Sequence, residues 1–191
     1  DADYADFTYI GSEKSIRISH PLKCNGFEAQ LSIGGKIDRI DVKGDTVNIV
    51  DYKTGSADQK ARISLEDIFG NKTKSAGNRL QAFLYSIALK EKLSGKSPSD
   101  SCAWVNKITS PTVRKISPQL LYIHHKDNAL RSEYIVNLEK KPVNDIAEIE
   151  TAYMERLQNV LSEIFDIDKP FLPASDSKKC EYCDYKEICG R

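Results

Sequence analysis

The chain has 191 residues, 28 Lys and Arg balanced by 28 Asp and Glu, and 40% hydrophobic residues. That composition is globular and long enough for a sizeable core, and a formal net charge of zero argues against a free-standing nucleic-acid-binding module. No apolar run approaches the ~20 residues of a membrane span. The acidic opening DADYADFTYIG lacks the basic-then-apolar order of a secretory signal, so a cytoplasmic location and no membrane partner are expected. The opening also lacks an initiator Met, which reads as a piece of a longer protein.

In chain order, SIRIS (15–19) and FEAQLSI (27–33) alternate in polarity and read as strands. KIDRIDV (36–42) and TVNIVDYK (46–53) follow, joined by KGD (43–45), whose Gly suits a tight hairpin turn. SLEDIFG (64–70) predicts a short helix with a Ser N-cap, an acidic first turn and a terminal Gly. NRLQAFLYSIALKEKL (78–93) predicts an amphipathic helix on Leu80, Phe83, Leu84, Ile87 and Ala88. CAWVNKI (102–108), QLLYIHH (119–125) and EYIVNL (133–138) predict later strands, and 144–166 a long helix capped by Asn144. The order β-rich, helix, β-rich, helix predicts an α/β fold with a mixed sheet flanked by helices. Residues 1–168 are expected to form its core. Residues 169–191 are a Pro-punctuated, cysteine-containing tail expected to pack on the same domain.

Charge is unevenly spread: Lys and Arg outnumber acids from 53 to 96, and acids outnumber them on either side. The basic stretch begins at Lys53, directly after Asp51. Hydrolysis of a phosphodiester needs charge stabilisation at the phosphate and an activated water, and a magnesium or manganese ion held by carboxylates supplies both. Asp38 and Asp51 lie on the two arms of the predicted hairpin, so pairing brings them toward one ion. Lys53, two residues beyond Asp51, shares its face, where a cation can orient water and stabilise developing negative charge. Asp-x-Lys alone is commonly a surface ion pair. The apolar run VNIV before Asp51 changes that reading, because an acid ending a buried strand is costly without a partner or metal.

The stretches GGKIDRID, IVDYKTG and LQAFLYSIAL together resemble the ordered motifs of the PD-(D/E)XK nuclease superfamily, in its RecB/AddB-like exonuclease branch, over roughly residues 15–191. The resemblance implies a restriction-endonuclease-like fold and Mg2+- (or Mn2+-) dependent DNA cleavage. It implies Asp38 and Asp51 as metal-binding acids, the Tyr52 backbone carbonyl as a further ligand and Lys53 as the catalytic lysine. Gln81 and Tyr85 match its QxxxY helix motif. They lie four apart on one helix face, with Gln81 in a catalytic role and Tyr85 and Arg79 assigned to substrate contact. One departure concerns a histidine ligand that such nucleases often carry on an early helix. Of His20, His124 and His125, none falls on a predicted helix there; His20 precedes Pro21 in an expected loop, and the helix is expected upstream of residue 1.

Three of the five cysteines, Cys180, Cys183 and Cys189, have the spacing C-x2-C-x5-C. A two-residue gap lets two thiolates reach one metal centre, zinc or iron–sulfur, and this usage suits a reducing compartment better than a disulfide scaffold. The resemblance implies an iron–sulfur cluster completed by a fourth cysteine from before the nuclease core, expected outside this chain. Cys24 is the upstream candidate within it, and Cys102, beside Trp104, reads as a small buried hydrophobe. The leading expectation is thus a DNA nuclease domain working with helicase modules or a partner subunit in double-strand break repair. The alternatives are a non-catalytic nuclease-like DNA-binding or scaffolding module, and a small zinc-stapled interaction domain. Neither explains an intact Asp38, Asp51, Lys53 and Gln81 as well.

Overall fold

In a computed structural model of the chain, alternating apolar residues between 8 and 53 build three strands: β1 (Thr8–Cys24), β2 (Phe27–Lys43) and β3 (Thr46–Lys53). The structure describes residues 6–55, 63–70, 75–95, 103–108, 113–122, 136–173 and 177–190. β1 and β2 pair antiparallel from Thr8–Val42 to Cys24–Phe27. Their turn is Asn25–Gly26, with φ of 42° and 78°, the left-handed pair that a two-residue hairpin turn requires. β3 returns antiparallel to β2, and β4 (Lys115–Tyr122) adds parallel to β3. The result is a mixed four-stranded sheet in the order β1-β2-β3-β4, a restriction-endonuclease-like arrangement flanked by helices.

A parallel neighbour needs a crossover, and two helices lie between β3 and β4 in the chain. In α1 (Leu65–Phe69), Ser64 and Asp67 form a reciprocal capping box and Gly70 ends the helix, as the sequence predicts. α2 (Ala76–Leu93) is buried at every position from Ala82 to Leu89. That is broader than the expected one-sided stripe, because α2 packs on all four strands on one side and against α1 on the other. α3 (Glu150–Ile164) adds to the cover. Tyr153 on α3 is fully buried, packs edge-on against Phe83 and donates from its hydroxyl to the Leu80 carbonyl at 2.9 Å. A fully buried large apolar side chain contributes roughly 1.5–3 kcal/mol, so these contacts hold α2 firmly over the sheet.

Several expectations are revised. The stretches 27–33 and 36–42 are one strand, because Gly34 and Gly35 continue the β1–β2 ladder opposite Arg17 and Ile16. Within 102–108, Val105–Lys107 is a 3-10 turn and not a strand. Asp145, not Asn144, provides the cap, and it opens a short 3-10 turn, Ile146–Glu148, before α3 begins. Of 133–138, only Asn137–Leu138 is seen as a strand (β5), paired with Lys141–Pro142 (β6). His20 lies within β1, its Nε2 2.8 Å from Gln158 Oε1 on α3. Cys102, His124, His125 and the expected strand residues 123–125 and 133–135 lie outside the described residues. Among the described residues, no helix is long and apolar enough to cross a membrane.

Candidate active site

Regular pairing between β2 and β3 ends at Arg39–Val50. β3 nevertheless stays paired to β4 as far as Lys53–Tyr122. The two arms of the hairpin therefore fork at one end, and Asp38 and Asp51 sit immediately beyond the last pair, one on each arm. Across the fork the Tyr52 backbone N–H donates to Asp38 Oδ2 at 2.7 Å.

Asp51 is 2% exposed at the end of the apolar run Val47–Val50, of which Val47, Ile49 and Val50 are fully buried. Burial pushes its carboxyl above the usual Asp range; the nearby Lys53 ammonium opposes that shift, and the charge of Asp38 adds a smaller upward push. Lys53 Nζ lies 2.5 Å from Asp51 Oδ2. The ammonium ion-pairs with this oxygen, which is otherwise sealed from solvent. A carboxylate buried this way is costly without such a counter-charge or a metal.

Lys53 Nζ also donates to Gln81 Oε1 at 3.1 Å, and Gln81 Nε2 donates to the Tyr85 hydroxyl at 2.8 Å. The four-residue spacing of Gln81 and Tyr85 on α2 makes this short relay possible. Gly35 makes it fit: a Cβ there would stand 2.3 Å from the Tyr85 hydroxyl. Hence the ring of Tyr85 rests directly on the β2 backbone. Asp38, Asp51, Lys53 and Gln81, from β2, β3 and α2, are thereby gathered at one end of the sheet.

Neither residue assigned to substrate contact is exposed in the fold. Tyr85 is 6% exposed and faces Gly35 and Gln81. Arg79 is 2% exposed; its guanidinium donates to Ser75 Oγ at 2.6 Å and to the Asn137 carbonyl at 3.3 Å. Arg79 thus ties the start of α2 to β5, and its charge is spent on internal acceptors.

Behind the fork lies a polar network that starts from Arg39 and Asp41, two residues apart on one face of β2. Arg39 Nε donates to Asp41 Oδ2 at 2.9 Å, and Asn48 Nδ2 donates to Asp41 Oδ1 at 2.8 Å. Gln119 Nε2 donates in turn to Asn48 Oδ1 at 2.6 Å. The chain of bonds links β2, β3 and β4, and all four residues are buried. Removing one partner of such a buried ion pair costs about 3–5 kcal/mol. The signal in the sequence is Asn48, an amide inside the otherwise apolar run VNIV.

The tail differs. Cys180 and Cys183 are partly buried and Cys189 is exposed. Among the described residues, no three His, Cys, Asp or Glu side chains converge into a group that could hold a metal. Cys24, the upstream candidate, donates its thiol to the Ser162 carbonyl at 3.1 Å, which anchors the β1–β2 turn to α3.

A family model described as the PD-(D/E)XK nuclease superfamily matches residues 1–190. No curated protein matches the chain.

Proposed function

The chain belongs to the PD-(D/E)XK nuclease superfamily, and from that premise we propose that it hydrolyses DNA phosphodiester bonds at the fork between β2 and β3. The observation that carries this reading is the buried Asp51 carboxylate, ion-paired with Lys53 and set across the fork from Asp38. Magnesium and manganese need only one or two carboxylates, completed by waters and substrate oxygens. Asp38, Asp51 and the Tyr52 carbonyl fit that requirement and would hold the ion. When bound, it supplies Lewis-acid stabilisation of the phosphate and lowers the pKa of a coordinated water.

The remaining work falls to side chains of this chain. Asp51 presents a buried carboxylate at low dielectric, where attraction to a cation is strong. Lys53 has three donors, and Gln81 accepts one of them. The Asp51 carboxylate faces another, which leaves the third for a water or a phosphate oxygen, and the lysine's charge opposes the negative charge that develops during attack. Gln81 fixes the lysine by accepting a hydrogen bond from it, and Tyr85 fixes Gln81 by accepting from the amide nitrogen. A non-catalytic scaffold has no need of a lysine held this way.

The finer reading is an exonuclease of the RecB/AddB-like branch, working with helicase modules or a partner subunit in break repair. Its support is the ordered motifs GGKIDRID, IVDYKTG and LQAFLYSIAL. The iron–sulfur cluster that the same resemblance implies does not fit the residues present, since Cys180, Cys183 and Cys189 do not converge, and no step is assigned to it. The test is Mg2+-dependent cleavage of linear and circular DNA by wild type, Asp51→Ala and Lys53→Ala. Cleavage of linear DNA alone, lost in both variants, is expected. Cleavage that survives both substitutions would overturn the assignment.

A further inference from the structure

The fork is bridged twice by side chains, once on each face of the sheet. On the site's face, Tyr52 N–H donates to Asp38 Oδ2 at 2.7 Å. On the other, Arg39 Nη1 donates to the Tyr52 hydroxyl at 3.1 Å, and the guanidinium carbon lies 6.0 Å from the Tyr52 ring centroid. Consecutive residues of β2 therefore grip one residue of β3 through its amide and its phenol, just where the β2–β3 ladder stops.

Arg39 is a fixed anchor. It is 7% exposed, paired with Asp41, and lies 5.1 Å from the Phe7 ring centroid. Through Asn48 and Gln119 the anchor extends across β3 to β4. Tyr52 is 38% exposed, so its ring is not held by core packing. Its hydroxyl bond to Arg39 is what ties the exposed ring to the buried network.

We propose that Arg39 and the Tyr52 hydroxyl form a clamp that sets the opening of the fork, and with it the positions of the Asp38 and Asp51 carboxylates. Both are positioning residues that act without touching substrate. Two carboxylates on separate strands share an ion well only if the strands keep a fixed separation, and no ladder fixes it beyond Val50. Outer partners of metal ligands commonly change affinity about 10- to 100-fold when removed. This inference rests on the reading of Asp38 and Asp51 as metal ligands.

The test uses Tyr52→Phe, which deletes the hydroxyl and keeps the buried Arg39–Asp41 pair, so that folding is preserved. Arg39→Lys, which keeps a cation beside Asp41, is the second variant. Amide hydrogen exchange is measured by NMR without metal, with Val50 as the in-ladder control, and Mn2+ affinity by calorimetry. In Tyr52→Phe, exchange at residue 52 should quicken several-fold while Val50 is unchanged, and Mn2+ affinity should fall about tenfold. The double variant should bind no more weakly than the weaker single one, because both changes break one contact. Unchanged exchange at residue 52, unchanged Mn2+ affinity, or additive losses would overturn the clamp. Failure of wild type to bind Mn2+, or binding that Asp51→Ala leaves intact, would instead overturn the metal site itself.

Discussion

Asp38, Asp51, Lys53 and Gln81 come from three separate elements and meet through short contacts, whereas Cys180, Cys183 and Cys189 come from one short segment and do not meet. The contrast lies in what surrounds them. The first group is carried by strands and a helix whose apolar residues are buried around it. The second sits among Ile167, Phe171, Leu172, Tyr182 and Ile188, which are 80–89% exposed. Side chains converge where the backbone beneath them is fixed by packing; closeness along the chain does not do this alone.

The comparison can be broken most directly by substitution at its two poles. Lys53→Ala should lower the DNA cleavage rate by about 10²–10³-fold, the usual effect of deleting one group that stabilises developing charge, with an unchanged circular dichroism spectrum. If replacing the three tail cysteines by serine reduced cleavage as much, the two regions would not differ as described.

Gly35→Ala sharpens the first half. The new methyl would collide with Tyr85, and overpacking of this kind costs typically about 1–3 kcal/mol. A lower urea midpoint is expected, with reduced cleavage because Gln81 loses its support. Normal stability and activity together would mean that Tyr85 has room to move and does not set Gln81.

Asp51 gives a pH-dependent test. Its folded-state pKa is raised, chiefly by burial, so the folded chain binds this proton more readily than the unfolded chain. For this group alone, the metal-free fold gains stability as pH falls from neutral through the raised pKa, and the gain is complete below the ordinary value near 3.8. Asp51→Asn should remove that dependence. Urea denaturation in chelator should therefore show the variant gaining more over wild type at pH 7 than near the ordinary value of 3.8. An equal difference at both pH values would place Asp51 in a more polar setting than its burial indicates.

The smallest effect is expected at the other pole. Replacing Cys180, Cys183 and Cys189 together by serine should shift the stability of this chain by no more than about 0.5 kcal/mol, as for surface positions in general. Anaerobically purified chain should carry well below one equivalent of iron or zinc. Stoichiometric metal, lost along with stability in the serine variant, would show the tail to be as organised as the fork.

Much of the fold was legible because its signals are local. Alternation marked the strands, Gly44 stands in the turn between β2 and β3, and Ser64 with Asp67 marked the start of α1. The misreadings arose where context overrides local preference. Gly34 and Gly35 looked like a break, but they sit in an unbroken ladder because the chain opposite and Tyr85 leave no space for side chains there. Arg79 and Tyr85, assigned to substrate contact, are both buried, and helical spacing could not show this because it gives a face, not what covers that face. The Arg39–Asp41–Asn48–Gln119 network was only hinted at, since Gln119 lies far along the chain from its partner.

The residue types available for chemistry and their order are legible along the chain alone: two acids flanking a turn, a lysine two beyond the second, and a glutamine on a later helix. These follow from strand and helix periodicity, which is a property of the backbone. The folded arrangement alone makes the β2–β3 ladder stop one residue short of Asp38, brings α2 close enough for Gln81 to reach Lys53, and buries Asp51 against the lysine. Those facts depend on long-range packing of helix on sheet, which fixes separations that no spacing along the chain encodes.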